Sequence, residues 1–209
     1  NINETPIFQR IVNIGTNKKL TITETRYLQV ANIASILGVI FMVQWMIIAI
    51  YLTDTPIIYV SNGFMGLMFF LVLIFNWKGW RKLASMWLII SSYIGVLLFL
   101  YFLGYSSGVA VIYFLIIIMP YMTFPRKARK SAHGFSLLGC LTLIATVLLQ
   151  SKINAHYDVM DPYLLQVINI SLTGFICLTL VWSLSVLIDR SEESLMAEQK
   201  KSDDLLHNI

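Results

Sequence analysis

The chain has 209 residues, of which 57% are hydrophobic and only 12% are charged, and its formal net charge is +4. A composition this apolar lies outside the range of water-soluble domains, so the sequence predicts an integral membrane protein. We assign the positive charge to loops that orient the chain in a bilayer, and we expect no nucleic-acid partner.

The apolar runs of the sequence predict six membrane crossings. Residues 1–27 precede them and are predicted to form a cytoplasmic N-terminal segment, and residues 28–188 are predicted to form the transmembrane domain. A helix needs about 20 apolar residues to cross the hydrocarbon core, and charged residues limit each run. The predicted crossings cover residues 28–52, 57–76, two passes within 83–124, 133–150 and 163–188. The turn residues in LGYSSG, residues 103–108, divide the long run into a hairpin.

The distribution of lysine and arginine predicts the orientation of these crossings. Of the 15 basic residues, only Lys152 falls on the face opposite to the others. Positively charged loops are retained in the cytoplasm, so we expect both termini there, in a multi-pass protein of the cell membrane.

Uncharged polar residues inside the spans suggest a binding site open toward the outer leaflet. We predict a pocket for an apolar or amphipathic small ligand, formed by Gln44, Trp45, Tyr51, Gln166 and Asn169. Each buried amide needs a hydrogen-bond partner in lipid, so hydrogen bonds between helices are the alternative role of these side chains.

The long outer loop carries a second candidate site, because it gathers an imidazole and two carboxylates. His156, Asp158 and Asp161 could bind a cation or sense pH, and ordinary solvated loop residues are the alternative interpretation. The predicted spans contain no Asp, Glu, Lys or Arg, which disfavours a proton-coupled transporter or an ion pump. We expect no catalytic residue, cofactor or metal ligand in this chain.

Residues 189–209 are predicted to extend the last span into the cytoplasm as a signalling helix, since neither Pro nor Gly interrupts them. Ile188, Leu195, Ser202 and Ile209 recur every seven residues, with Leu206 in the companion row. This spacing is typical of a short dimeric coiled coil, so we expect a homodimer. The predicted fold class is therefore an all-α polytopic membrane protein with six transmembrane helices and a cytoplasmic C-terminal helix.

The segment EQKKSDDLLHNI resembles the connecting helix that precedes the catalytic domain of membrane-bound class III adenylate and guanylate cyclases. Its matching residues are Ser202, Leu205, Leu206, Asn208 and Ile209. Six crossings with both termini inside also resemble the membrane anchor of that family. The resemblance implies that a catalytic domain follows Ile209, converts ATP or GTP to the cyclic nucleotide with Mg²⁺ or Mn²⁺, and works as a dimer.

Two other functions fit parts of the sequence. A sensor histidine kinase input domain also sends a helix out of its last span, but His207 lacks the acidic neighbour and the Arg-Thr-Pro pattern expected after a phospho-accepting histidine. A small transporter or channel is the other alternative, which the uncharged spans disfavour.

Overall fold

The computed structural model describes residues 7–17, 20–52, 55–105, 108–152, 163, 166–171 and 173–181. Within these ranges the regular structure is entirely helical, which confirms the predicted all-α class. The helices are α1 (Ile7–Val12), α2 (Ile22–Leu52), α3 (Pro56–Trp77), α4 (Arg81–Leu103), α5 (Ile112–Thr123), α6 (Arg129–Leu148) and α7 (Gln166–Val181). Short 3-10 turns occupy Val109–Val111, Arg126–Ala128 and Gln150–Lys152.

Four of the helices, α2, α3, α4 and α6, are long and apolar enough to cross a membrane. The apolar helices α5 and α7 are shorter over their described residues. Helix α5 has 12 residues because the turn that precedes it is a 3-10 helix, and together the two rise about 24 Å. The predicted coiled coil of residues 189–209 lies outside the described residues.

Helix α2 begins six residues before the predicted first crossing, because a reciprocal capping interaction fixes its start. The Glu24 amide donates to the Thr21 hydroxyl, and the Thr21 amide donates to the Glu24 carboxylate, both at 3.2 Å. This capping box satisfies donors that a helix N-terminus otherwise leaves unpaired.

Apolar side chains cover the outside of the bundle. Val60, Phe64 and Leu67 on α3 are 55–63% exposed, and α6 presents a similar stripe that includes Leu141 and Ile144. Several polar side chains are turned inward instead, among them Asn32, Asn62, Asn76 and Ser91. An apolar exterior of this extent is typical of helices that contact lipid.

Hydrogen bonds made by side chains connect neighbouring helices. Trp87 on α4 donates to the Met68 carbonyl on α3 at 3.0 Å. Tyr93, also on α4, donates to the Phe135 carbonyl on α6 at 2.6 Å. A hydrogen bond of 2.8 Å joins Tyr121 on α5 to His133 on α6. The first two contacts join α4 to α3 and to α6, and the third joins α5 to α6.

The N-terminal segment docks on α2 and α3 through two buried asparagines. The Asn32 amide donates to the Val12 and Ile14 carbonyls at 2.9 and 3.0 Å, and its oxygen accepts from the Asn76 amide at 2.7 Å. Asn32 is fully buried and Asn76 is 1% exposed. The docked segment covers the end of the bundle where α2 begins and α3 ends.

That same end of the bundle carries most of the basic side chains of the described helices. Arg81 and Lys82 open α4, and Lys130 lies in the first turn of α6. Trp77 and Trp80 are exposed there, and the Lys78 ammonium lies 5.3 Å from the centre of the Trp80 ring. Lys152 lies at the opposite end of α6. Tryptophan and lysine together are typical of a membrane interface.

Candidate functional site

The centre of the bundle holds an apolar cavity of about 70 Å³ between five helices. Two glycines, Gly38 on α2 and Gly95 on α4, form part of its wall, and Phe69 and Phe99 close it on two sides. Ser92 and Thr173 are the hydroxyl groups in this wall. The volume admits only a few carbon atoms, since about 150 Å³ is needed for a ring the size of benzene.

Two unpaired donors face a smaller cavity of about 10 Å³ beside the first. Trp45 on α2 is 2% exposed and Asn62 on α3 is 6% exposed. The Trp45 Nε1 and the Asn62 Nδ2 are buried and have no hydrogen-bond partner in the part of the chain that is described. Burying a donor without an acceptor is costly, so this pair is a candidate for binding a carbonyl or carboxylate oxygen.

Phe99 on α4 separates the two cavities, because its ring lines both of them. The ring centre lies 5.5 Å from that of Trp45, edge to face, and 5.9 Å from that of Phe41. Together the two neighbouring cavities offer an apolar body and a hydrogen-bonding end, as sites for amphipathic molecules do.

The structure separates the residues of the pocket that the sequence predicts. Trp45 and Asn169 are buried inside the bundle, whereas Gln44, Tyr51 and Gln166 are exposed. Gln166 packs over Gly108, in the turn between α4 and α5. Trp45 and Asn169 each lie one helical turn from a residue of the central cavity, Phe41 and Thr173. Trp45 also lines the smaller cavity, whereas Asn169 lines neither of the two.

The remaining predicted positions lie outside the described residues. They are His156, Asp158 and Asp161 of the outer loop, and Ile188, Leu195, Ser202, Leu205, Leu206 and Ile209 of the signalling helix. Among the residues that are described, no three His, Cys, Asp or Glu side chains come together as metal ligands would.

The sequence interpretation missed two asparagines of α3. Asn62 belongs to the candidate site, and Asn76 helps to hold the N-terminal segment. Both interrupt the apolar sequence of α3, and they are 14 residues apart, so they lie on nearly the same face of the helix. An amide inside an apolar run was the available signal, since lipid offers it no partner.

No protein-family model, curated protein or solved structure matches this chain.

The unpaired donor of Asn62 leads to a stability prediction. Replacing Asn62 with leucine is expected to leave the free energy of unfolding unchanged or to raise it by about 1 kcal/mol, because it removes a buried donor that has no acceptor. Asn76→Leu is the matched control on the same helix and is expected to cost about 1–3 kcal/mol, because its amide donates to Asn32. Thermal unfolding in detergent measures both. Equal losses would show that Asn62 has a partner in the folded chain.

Proposed function

We propose that this chain is the membrane anchor and regulatory module of a class III nucleotide cyclase. The observation that carries the proposal is the segment EQKKSDDLLHNI, which resembles the connecting helix of that family at Ser202, Leu205, Leu206, Asn208 and Ile209. The catalytic domain that this helix precedes makes cyclic AMP from ATP, or cyclic GMP from GTP, between two copies. The functional unit proposed here is accordingly a homodimer.

The described bundle supports a membrane location for this module. Four long apolar helices, an apolar exterior and inward-facing amides are the features that lipid requires of a spanning protein. The basic residues at the α3–α4 and α5–α6 connections support an orientation with that end in the cytoplasm. Six crossings would then place both termini on the cytoplasmic side.

The two cavities support a regulatory role within that proposal. The ligand is a small apolar or amphipathic molecule, with its apolar part in the central cavity and an oxygen acceptor at Trp45 and Asn62. Because α7 forms part of the wall of the central cavity, a molecule bound there would change the packing of the helix that leads toward the exit segment. The output would be the relative position of two exit helices.

A fusion after Ile209 tests the function and the orientation together. A class III catalytic domain joined there is expected to raise cyclic nucleotide in a cyclase-deficient bacterium, because its substrate ATP is cytoplasmic. The same domain joined after Lys152, at the opposite end of α6, is the matched control and is expected to give none.

A phosphatase that is active only outside the cytoplasm, joined at the same two positions, should give the reverse pattern. Phosphatase activity after Ile209 would contradict the orientation. A cytoplasmic fusion no more active than the isolated catalytic domain would contradict the anchor function.

A further inference from the structure

A third cavity, larger than the two described above, lies at the basic end of the bundle, away from the central one. Its volume is about 220 Å³, several times the share of a single water molecule in the liquid. Residues of α2, α3, α4 and α5 and of the loop after α5 form its wall. The space is sufficient for a tetrahedral anion together with the first atoms of an attached group.

Arg81 presents an unpaired donor at this cavity. Its side chain is partly buried, and its Nε is fully buried and has no hydrogen-bond partner anywhere in the described chain. A guanidinium N–H is a strong donor that normally pairs with a carboxylate or a phosphate. A guanidinium with an unpaired Nε in the wall of an open volume is suited to bind an anionic acceptor.

The surrounding charges favour an anion. Lys82 also lines the cavity, and Arg81 and Lys82 open α4, whose first N–H groups have no acceptor within the helix. Glu24 opposes them, but its carboxylate already accepts from the Thr21 amide and is attracted by Lys127 and Arg81. Arg81 and Lys82 in the wall, opposed by Glu24 alone, leave an excess of positive charge at the cavity, and Lys127 adds to it through its attraction to Glu24.

We infer that this cavity binds the phosphate group of a phospholipid from the inner leaflet, with Arg81 as its main donor. Tyr27, Leu28 and Pro125 form an apolar part of the wall that can take the carbon atoms next to the phosphate. The exposed Trp77 and Trp80 lie near the same level, where headgroups meet the hydrocarbon core. The inference rests on the membrane orientation proposed above.

The test measures binding of an acyl-labelled anionic phospholipid to the purified 209-residue chain in neutral detergent. Arg81→Gln is expected to weaken binding about tenfold or more, because it removes a charge-assisted hydrogen bond. Arg129→Gln is the matched control, since Arg129 is an exposed arginine of the neighbouring helix α6, and it should change binding less than about twofold. Arg81→Lys, which keeps the charge but loses the planar fork, should lie between the two.

Two ligand controls identify what is bound. The diacylglycerol with the same acyl chains should bind about tenfold more weakly than the phospholipid, and equal binding would overturn the inference. Inorganic phosphate should fail to displace the lipid at millimolar concentration, and full displacement would assign the site to a soluble phosphate and overturn the lipid assignment.

Equal losses in Arg81→Gln and Arg129→Gln would also overturn the inference, because they would indicate attraction to the basic surface alone. Circular dichroism checks that each variant is folded. If Arg81→Gln does not fold, Arg81→Lys is compared with Arg129→Gln instead. The fusion after Ile209 tests the orientation separately, so a wrong orientation and a missing phosphate site give different results.

Discussion

Replacing Asn32 with alanine is expected to lower the free energy of unfolding by about 2–4 kcal/mol. The substitution leaves the Val12 and Ile14 carbonyls without their donor and the Asn76 amide without its acceptor. These groups lie at the end of the bundle that the N-terminal segment covers. Water has little access there to form the hydrogen bonds that are lost. Chemical unfolding in detergent, followed by circular dichroism, measures the loss.

The same variant should release the N-terminal segment before the bundle unfolds. Trypsin is expected to cut after the exposed Arg10 faster in Asn32→Ala than in the parent chain, because α1 has lost the side chain that holds it. Gln29→Ala is the control, since Gln29 also bonds this segment, to Asn13 at 2.7 Å, but at an exposed site. If both variants behave alike, the buried asparagine pair does not hold the segment.

Gly15 offers an independent route to the same state. Its φ of +79° is a conformation that side chains rarely adopt, and a Cβ there would overlap the backbone carbonyl of Asn76. Gly15→Ala is therefore expected to raise trypsin cleavage after Arg10 as Asn32→Ala does. An unchanged cleavage rate would mean that the segment is docked in another way.

Replacing Gly38 with alanine is expected to destabilise the contact between α2 and α3 by about 1–3 kcal/mol. A Cβ at Gly38 would lie 2.7 Å from the Phe69 Cγ and Cδ1, well inside ordinary carbon contact. Phe69 and Gly38 both line the central cavity, so a ring that moves away from the added Cβ has open space there. We expect a smaller cavity and a lower midpoint of thermal unfolding.

Gly66 provides the control for this substitution, because it lies in the same interface. A Cβ at Gly66 would lie 3.7 Å from the Met42 Cβ, an ordinary contact, so Gly66→Ala should be neutral or stabilising through its helix propensity. Combining Gly38→Ala with Phe69→Leu should cost less than the sum of the two changes, because the smaller side chain makes room. Additive losses, or a neutral Gly38→Ala, would contradict the close contact.

Much of the helical layout could be predicted from the sequence. Charged residues and turn residues interrupt the apolar runs, and these interruptions mark where a helix leaves the lipid and enters water. Helix α3 runs from Pro56 to Trp77, within one residue of the prediction at each end. Helix α4 ends at Leu103, where the predicted turn of residues 103–108 begins, and Gly104 follows with a φ of +73°. The capping box of α2 was equally visible in the sequence, but hydropathy alone places the helix start too late.

The site was harder to predict, because a span's sequence does not say which way a side chain points. Gln44 and Trp45 are neighbours on α2, yet the first is exposed and the second is buried. Consecutive residues of a helix are about 100° apart, so polar identity alone cannot choose between them. Cavities are harder still, because the space beside Phe99 depends on how helices distant in sequence pack together.

The same limit applies to Arg81. By sequence it belongs to the basic loops that orient the chain, and only the packing of α2, α4 and α5 shows that its Nε is buried beside a cavity. Its neighbour Lys82 is exposed, as an orienting charge would be. Two adjacent basic residues can therefore share a topological role and differ in what else they contact.

We propose that the bundle controls catalysis through the rotational phase of the exit helix. Each residue added to a helix turns it by about 100° and advances it by about 1.5 Å, and seven residues nearly restore the phase of a coiled coil. The dimer contact is predicted to form along the row of residues that recurs every seven positions. Rotation of the helix would turn this row toward its copy or away from it. The row consists of Ile188, Leu195, Ser202 and Ile209.

The most direct measurement is the cyclic nucleotide output of the fusion after Ile209, with one, two, three, four or seven alanines inserted after Ser194. We predict output that varies with phase, lowest where this row is turned to the wrong face and closest to the parent with seven residues. Output that falls steadily with insertion length, or ignores it, would contradict the claim and leave the helix as a tether.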